Sequence, residues 1–333
     1  MEHMPSVRAL ARQLATLAAG LLAASLPATP ALAQAYPTRP VTVVVPLAPG
    51  GPVDAEARLY SQKLTELTGQ SFVLDYKTGA GGLLGIQHVA RAAPDGYTLL
   101  IGSTGLTVLP ATRRNPGYDL ARDFAPVSLM TKKPSMLVMN LAVPVKNFPE
   151  LIAYSKAHPG ELNFGTTGPG GATDLAGRFL ASASGMALTF VHYKGTGPLT
   201  VDLLAGRVHL ATTNLISGLS LLKSGKLRVL GVTSLKRQAR MPDVPALAEN
   251  GAPGYEYVGW TGFLAPAKTP PAIVNQLSAE MGKVMRADEV MKKLAESDAE
   301  FIGSSPEDMR RYILGESARW QKVVQDAGIK VED

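Results

Sequence analysis

Apolar and polar positions along the first third of the chain predict strands and helices in turn. Val41–Val45 is β-branched and almost wholly apolar, as in a strand covered on both faces. Apolar residues then recur at helical spacing until Gly69. Residues 72–74 and 97–101 predict two further strands, with a second helix between them that ends near Ala92. This order predicts right-handed βαβ units and a mainly parallel sheet.

The alternation restarts in the second half of the chain. Helices are predicted over residues 151–156, 174–184, 199–204 and 217–222, and strands over 162–164, 190–191, 208–210 and 227–232. The tail is predicted to be helical, with one stripe from Val274 to Val284 and another from Met309 to Val324. Ser305, followed by Pro306 and Asp308, is a helix-start pattern for the second stripe.

A short motif occurs once in each half. Pro49-Gly50-Gly51-Pro52-Val53-Asp54 and Pro169-Gly170-Gly171-Ala172-Thr173-Asp174 share the pattern P-G-G-x-x-D, and each follows an apolar strand and opens a helix. The repetition in one structural context predicts two equivalent α/β lobes.

The position of this motif favours anion binding. The first N–H groups of a helix have no intrahelical partner and carry a partial positive charge, and glycine lets the backbone approach a ligand closely. Both loops fall at the carboxyl ends of strands, where open α/β sheets bind ligands. We expect Asp54 and Asp174, being acidic themselves, to cap their own helices.

Composition limits the classes of partner. With 333 residues the chain is long enough for two domains. The net charge of +6 is dispersed and aromatic residues are only 6%, which excludes nucleic acid as a partner. The chain has no cysteine, so it has neither a disulfide nor a cysteine-linked lipid.

The first 35 residues have the pattern of a secretory signal peptide. Arg8 and Arg12 precede an apolar stretch that is short for a membrane span, and small residues follow. We expect cleavage near Ala33 or Ala35 and a periplasmic mature protein.

Motifs for catalysis and for cofactors are missing. No phosphate-binding P-loop or G-x-S-x-G elbow occurs, and the glycines of residues 79–85 lack the dinucleotide spacing. The histidines have no metal-ligand spacing. We therefore expect no enzymatic activity, no catalytic residues, no cofactor and no metal.

An ordered set of short segments resembles the Bug/TctC family, the periplasmic solute-binding components of tripartite tricarboxylate transporters. The likeness runs nearly end to end, and it is carried by Tyr36-Pro37-Thr38-Arg39-Pro40, Pro49-Gly50-Gly51, Gly79-Ala80-Gly81-Gly82, Asp95-Gly96-Tyr97-Thr98-Leu99, Tyr193-Lys194-Gly195, Asp202-Leu203-Leu204-Ala205-Gly206, Gly225-Lys226-Leu227-Arg228, Pro242-Asp243-Val244-Pro245, Trp260-Thr261-Gly262 and Ala265-Pro266.

The resemblance implies an α/β fold of the two-lobed, Venus-flytrap type, in which each lobe is a mainly parallel sheet flanked by helices. It implies two crossovers, near residues 127–130 and 260–263. We expect residues 36–128 to form the first part of lobe 1, residues 129–261 lobe 2, and residues 262–333 the rest of lobe 1. We also expect a monomer.

The resemblance further implies that the cleft holds a small carboxylate, mainly through backbone N–H groups of two facing loops. The solute would be an organic acid, an amino acid or an aromatic acid. The protein would pass it to the membrane permease subunits of a tripartite tricarboxylate transporter, or would sense it as an orphan receptor. The implied ligand-binding residues are Ala48, Gly50, Gly51, Ser103, Thr104, Thr166, Thr167, Gly168, Gly170, Gly171 and Asn214. Asp174 stands where the family often has a histidine, and if it faces the cleft we expect a solute with an amine beside its carboxylate.

Two alternatives stay open. An exported lyase or hydrolase acting on a small carboxylate would need a general base, for which Asp54, Asp174 and Tyr193 are the candidates. A protein-interaction module without a solute is disfavoured, because glycine-rich polar loops make poor binding hot spots.

Overall fold

The computed structural model describes residues 36–295 and 299–331. The chain divides into two compact units, Met1–Tyr36 and Pro37–Asp333, and only Tyr36 of the first unit is described. The predicted signal peptide and both predicted cleavage sites therefore lie outside the described residues. Within the described ranges, no helix is long and apolar enough to cross a bilayer.

Strands and helices alternate along most of the second unit. The strands are β1 (Val41–Val45), β2 (Phe72–Tyr76), β3 (Thr98–Ser103), β4 (Phe124–Asn140), β5 (Asn163–Thr166), β6 (Thr189–His192), β7 (Leu210–Asn214), β8 (Leu227–Val232), β9 (Val258–Pro266) and β10 (Glu300–Phe301). The helices are α1 (Pro52–Thr68), α2 (Leu83–Ala90), α3 (Thr104–Thr112), α4 (Phe148–Ala157), α5 (Ala172–Ser184), α6 (Thr196–Leu204), α7 (Leu215–Leu222), α8 (Pro271–Met285), α9 (Asp288–Ala295) and α10 (Pro306–Asp326), with single 3₁₀ turns at Ala80–Gly82 and Leu247–Glu249.

The strands form one connected sheet that contains two similar parallel blocks. Its order is β2-β1-β3-β9-β4-β7-β5-β6, and β8 and β10 also pair with β4. In the first block β1 pairs in parallel with β2 and β3, and in the second β5 pairs in parallel with β6 and β7. Each P-G-G-x-x-D segment follows the central strand of its block, so the repeated motif marks a repeated architecture.

Two long antiparallel strands join the blocks. β4 pairs with β9 from Phe124 to Pro134, and from Ser135 onward it pairs with β7 and β8. The sequence did not predict either long strand. In β4, the polar residues Thr131, Lys132 and Lys133 interrupt the apolar run. Both predicted crossover segments lie within this pair of strands, where Leu129 is the partner of Gly262. The predicted lobe boundaries stay predictions.

Separate apolar clusters cover the sheet. Leu100 and Trp260 belong to a cluster beside the first block, and Phe164 belongs to another beside the second. Helix α10 contributes to both clusters, with Met309 in the first and Trp320 in the second. The predicted helical stripe of the tail is thus buried. Ser305 begins α10 as predicted, since its hydroxyl accepts a hydrogen bond from the N–H of Asp308.

Candidate functional site

A cavity of about 130 Å³, which we call the central cavity, lies between the two parallel blocks. The residues that line it are mostly small or carry a hydroxyl group. They are Leu47, Pro52, Val53, Ser103, Thr104, Lys133, Ser135, Thr167, Ala172, Thr173, Thr196, Leu199, Thr212, Thr213, Asn214, Tyr257, Gly259, Trp260 and Thr261.

The starts of five helices meet at this cavity. Its walls include residues of the first turn or N-cap of α1, α3, α5, α6 and α7, namely Pro52, Thr104, Thr173, Thr196 and Asn214. The sequence places them there because each of these helices directly follows a strand or its short loop. Each helix start offers unpaired N–H groups and a partial positive charge. The cavity is therefore suited to an anion.

Lys133 is the only charged side chain among the described residues that line the central cavity. It lies on β4, it is 6% exposed, and it forms an ion pair with Glu56 of α1. Burial lowers the pKa of Lys133 to about 7. The adjacent carboxylate acts in the opposite direction, because an opposite charge favours the ammonium form.

Glu56 is held by several donors besides Lys133. The Tyr60 hydroxyl donates to its Oε2 at 3.1 Å and the Thr131 hydroxyl at 3.0 Å, and the Thr261 hydroxyl donates to the same oxygen. Glu56 is 6% exposed and does not line the central cavity. A buried charge is stable only when hydrogen bonds replace its hydration, and the Glu56 carboxylate accepts several such bonds.

The acidic residues of the two P-G-G-x-x-D segments bind their own loops. Asp54 accepts a hydrogen bond from the N–H of Gly50 at 2.9 Å, and Asp174 accepts one from the N–H of Gly170 at 3.1 Å. Each aspartate lies in the first turn of its helix and reaches back to the residue before the N-cap. Both aspartates thus bind within their own helix starts, as predicted, but they are not the caps, because the N-caps are Gly51 and Gly171 and make no side-chain cap hydrogen bond.

Asp174 does not line the central cavity. It is 1% exposed, and it also accepts a hydrogen bond from Arg178 Nε at 2.9 Å. Its other oxygen lies 3.7 Å from His192 Nδ1. Asp174 already has a cationic partner in Arg178. The carboxylate of Asp174 therefore gives no reason to expect an amine group on the solute.

The structure brings some of the predicted ligand-binding residues to the central cavity and places others around it. Ser103, Thr104, Thr167 and Asn214 line the cavity. Ala48 and Gly51 line a narrow crevice next to it, which also includes Thr167 and Thr196. The remaining residues, Gly50, Thr166, Gly168, Gly170 and Gly171, are not among those that line the central cavity.

Several of the predicted N–H donors already have partners in the protein. Besides the amides of Gly50 and Gly170, the N–H of Thr167 donates to the Thr173 hydroxyl at 2.8 Å. The buried Thr166 hydroxyl lies 2.8 Å from His192 Nδ1. These contacts shape the loops, and the direct role of the predicted residues in holding a solute stays a prediction.

The glycine loops of the two halves are in close contact. A Cβ added to Gly81 would lie 3.1 Å from the Cα of Gly171, so only glycine permits this approach without displacement. The Thr112 hydroxyl at the end of α3 donates to the carbonyl of Gly170 at 2.7 Å. The loop that contains Gly51 contacts the start of α6 instead, since a Cβ added to Gly51 would lie 3.2 Å from Thr196 Oγ1.

The three candidate general bases are all outside the central cavity. Asp54 and Asp174 are engaged as described above, and the Tyr193 hydroxyl donates to Asp202 at 2.8 Å. Burial and the bond to Asp202 raise the pKa of Tyr193 to about 12, which is far from the value that a general base at neutral pH needs. In the described ranges no group of three or more His, Cys, Asp or Glu is arranged to hold a metal.

Sequence reasoning missed Lys133, Glu56 and Thr196. A signal for Lys133 exists, because Lys132 and Lys133 are adjacent on one strand and neighbouring strand residues point to opposite faces. One of the two lysines must therefore face the interior side. No comparable signal marks Glu56, whose position among the charged residues of α1 resembles that of any solvent-exposed glutamate.

Comparison with known proteins gives consistent matches. The family model described as tripartite tricarboxylate transporter family receptor matches residues 56–329. A Rhodopseudomonas palustris protein solved with adipate, Rpa4515, is 39% identical, with a TM-score of 0.84 over 89% of this chain and 100% of that one. The periplasmic binding protein BugD is 33% identical, with a TM-score of 0.84 over 89% and 100%. MatC from R. palustris, solved with malate, is 32% identical, with a TM-score of 0.82 over 87% and 100%.

Proposed function

Because this chain belongs to the family of tripartite tricarboxylate transporter receptors, a family of periplasmic solute-binding proteins, we propose that it captures a small carboxylate in the central cavity. The residues that we propose to surround the solute are those at the five helix starts. Among the predicted residues, those that line the cavity would contact the solute directly: Ser103, Thr104, Thr167 and Asn214. The others would shape the loops that surround the cavity: Ala48, Gly50, Gly51, Thr166, Gly168, Gly170 and Gly171.

One observation carries this proposal. The described lining of the central cavity combines five helix starts with a single charged side chain, Lys133, and no acidic residue. A carboxylate placed there gains hydrogen bonds from N–H and hydroxyl donors, which are strengthened by its own charge. A cation would meet the positive ends of the helix dipoles instead.

Relatives support a carboxylate as the solute. Rpa4515 was solved with adipate and MatC with malate, and both proteins cover most of this chain at more than 30% identity. The family is one of receptors rather than of enzymes. We therefore propose that the carboxylate is bound and released without chemical change.

We also propose how the protein operates in the cell. The N-terminal 35 residues would direct export and be cleaved near Ala33 or Ala35, and the mature protein would act as a monomer in the periplasm. Its two lobes, with the boundaries predicted above, would close on the solute and present it to the membrane permease subunits of a tripartite tricarboxylate transporter. The close contact between Gly81 and Gly171 supports the view that the loops meet across the cleft.

The test is a search for bound acid followed by a titration. Native mass spectrometry of freshly purified protein should reveal a co-purified carboxylic acid, and calorimetric titration with that acid should give one site per chain. The acid should be recovered unchanged after prolonged incubation. Conversion of the acid would refute the receptor proposal, and so would the binding of cationic but not of anionic solutes.

A further inference from the structure

Lys133 has hydrogen-bonding capacity that the protein does not use. An ammonium group has three N–H donors. Its recorded partner among the described residues is Glu56, and the Lys133 ammonium makes no further hydrogen bond there. The side chain is 94% buried and lies between two cavities, the central cavity and a second one beside α1 that Glu56 also lines, so the remaining donors are within reach of a solute in the central cavity.

Glu56 does not depend on Lys133 alone. Its carboxylate also accepts hydrogen bonds from Tyr60, Thr131 and Thr261, all of which are neutral donors. These three donors all bind Oε2, whereas Lys133 pairs with Oε1, so the ammonium keeps its contact with Oε1 and has its remaining N–H groups for another anion.

Buried hydroxyl groups without a hydrogen-bond partner among the described residues lie on β7 beside the cavity. The hydroxyl groups of Thr212 and Thr213 on β7 are buried and have no hydrogen-bond partner among the described residues, and both residues line the central cavity. β7 pairs directly with β4, where Ser135 lies opposite Asn214. Thr212 lies on the same face of the sheet as Ser135 and Lys133, whereas Thr213 points to the other face. Lys133 and Thr212 thus supply one charged and one neutral donor on one side of the cavity.

We propose that Lys133 is the specificity-determining residue of this receptor, and that it binds a second anionic group, such as the far carboxylate of a dicarboxylate. This inference rests on the proposed function, because it assigns the other end of the same solute. Glu56 positions Lys133, and the Thr212 hydroxyl completes the contact. A monocarboxylate of the same length would leave the buried ammonium without its second partner.

The neighbouring Lys132 offers a matched control. It lies on the opposite face of β4, with its ammonium 4.5 Å from the ring centre of Tyr312, and it does not line the central cavity. Lys132→Met and Lys133→Met change the same residue type on the same strand, so they remove equal charge from the molecule. Only the second change removes a donor from the cavity.

The experiment is a calorimetric titration with pairs of acids of equal carbon number: succinate with butyrate, glutarate with valerate, adipate with hexanoate, and terephthalate with 4-methylbenzoate. The wild type should prefer the dicarboxylate in at least one pair. Lys133→Met should weaken binding of that dicarboxylate at least about tenfold, the loss expected for a charge-assisted hydrogen bond. Binding of the matched monocarboxylate should change less than about twofold, and Lys132→Met should behave as the wild type.

A second variant covers the case in which Lys133→Met does not fold. The double substitution Glu56→Gln with Lys133→Met removes both charges together, so no buried carboxylate is left without its cation. It should lose the preference for dicarboxylates in the same way. Circular dichroism and thermal unfolding establish that each variant is folded before titration.

The outcomes separate the two proposals. If the substitutions weaken binding of both members of a pair by the same factor, or leave the wild-type preference for dicarboxylates unchanged, the role of Lys133 is refuted while the receptor function stands. A wild type that binds monocarboxylates as tightly as dicarboxylates also refutes it. If the wild type binds none of the eight acids and carries no co-purified acid, the proposed function itself fails, and this inference fails with it.

Discussion

The carboxylate of Asp174 accepts a hydrogen bond from the N–H of Gly170, four residues earlier in the chain, at 3.1 Å. Asp54 makes the equivalent bond to Gly50 at 2.9 Å in the other half of the molecule. Each bond ties the residue before a helix N-cap to the first turn of that helix. The repeated P-G-G-x-x-D pattern therefore encodes a loop that is held by an internal hydrogen bond from a glycine N–H to the aspartate. The two loops lie next to the central cavity.

This arrangement predicts the effect of removing Asp174. Asp174→Ala leaves the buried N–H of Gly170 without an acceptor and Arg178 without its partner. We expect the free energy of unfolding, measured in urea, to fall by about 1–3 kcal/mol. Asp326→Ala is the control, because it removes an exposed ion pair with Lys322 and should cost less than about 1 kcal/mol. If the two variants lost the same free energy of unfolding, the hydrogen bond between Asp174 and Gly170 would not stabilise the loop.

Asp54 predicts a dependence of stability on pH. Burial raises the pKa of its carboxyl, but the hydrogen bonds from Gly50, Tyr76 and Arg58 outweigh burial, so the pKa lies below its usual value. A lowered pKa in the folded state stabilises the protein above the unfolded-state value of about 3.9, and this stabilisation is lost as the pH falls through the folded-state pKa.

The corresponding measurement compares urea unfolding at pH 7 and at pH 3. We expect the free energy of unfolding to fall less between these values in Asp54→Asn than in the wild type, because the variant has no carboxyl to protonate at this position. An equal fall in both proteins would show that Asp54 does not contribute.

Much of the architecture could be predicted from the sequence, because it depends on local patterns. The apolar run Val41–Val45 and the glycine that ends α1 at Gly69 both appear in the structure at the predicted positions. β4 could not be predicted as one strand, since Lys132 and Lys133 interrupt its apolar pattern. Their polar side chains are accommodated by an aromatic ring on one face and by Glu56 on the other.

The candidate site could be predicted only in part. The anion-binding loops follow from glycine and from helix starts, both of which are local features. Lys133 and Glu56 are 77 residues apart in the sequence and meet only because β4 and α1 pack together. Thr196 lines the cavity because α6 begins beside Gly51, and that approach depends on how the two halves of the chain pack.

Gly81 predicts a specific effect on solute binding. Its φ of 69° favours glycine, and an added Cβ would press against the backbone of Gly171. We expect Gly81→Ala to weaken carboxylate binding at least about tenfold, because the two loops must separate. Gly225→Ala isolates the conformational cost, since Gly225 has a φ of 68° and nothing within 4 Å of an added Cβ. That control should lose about 1 kcal/mol of stability and keep its affinity for the solute.

If both variants bind the solute as the wild type does, contact between the loops is not needed for binding. If both lose affinity to the same degree, backbone strain rather than the contact explains the loss.

Lys133 predicts that binding of a dicarboxylate depends on pH. Burial lowers its pKa to about 7, Glu56 counteracts this, and the bound anion favours the charged form. Tyr257, the other titratable residue of the described lining, has its pKa raised by burial to about 12 and stays neutral. Raising the pH from 6.5 to 9 should therefore weaken dicarboxylate binding in the wild type as the ammonium loses its proton.

Calorimetric titration of the preferred dicarboxylate across this range checks the prediction, with the double variant Glu56→Gln, Lys133→Met as the reference. The variant has no group to deprotonate, so its affinity should be independent of pH. A wild type whose affinity is equally flat would show that Lys133 keeps its proton throughout the range or does not contact the solute.

The most direct test of the central claim is a crystal structure of the protein with the dicarboxylate that binds it most tightly. We predict one carboxylate among the helix starts of the central cavity, within hydrogen-bonding distance of the lining at Thr104, Thr173 or Thr196, and the other carboxylate at Lys133. A solute bound outside this cavity, for example between Gly81 and the loop of residues 168–170, would contradict the account.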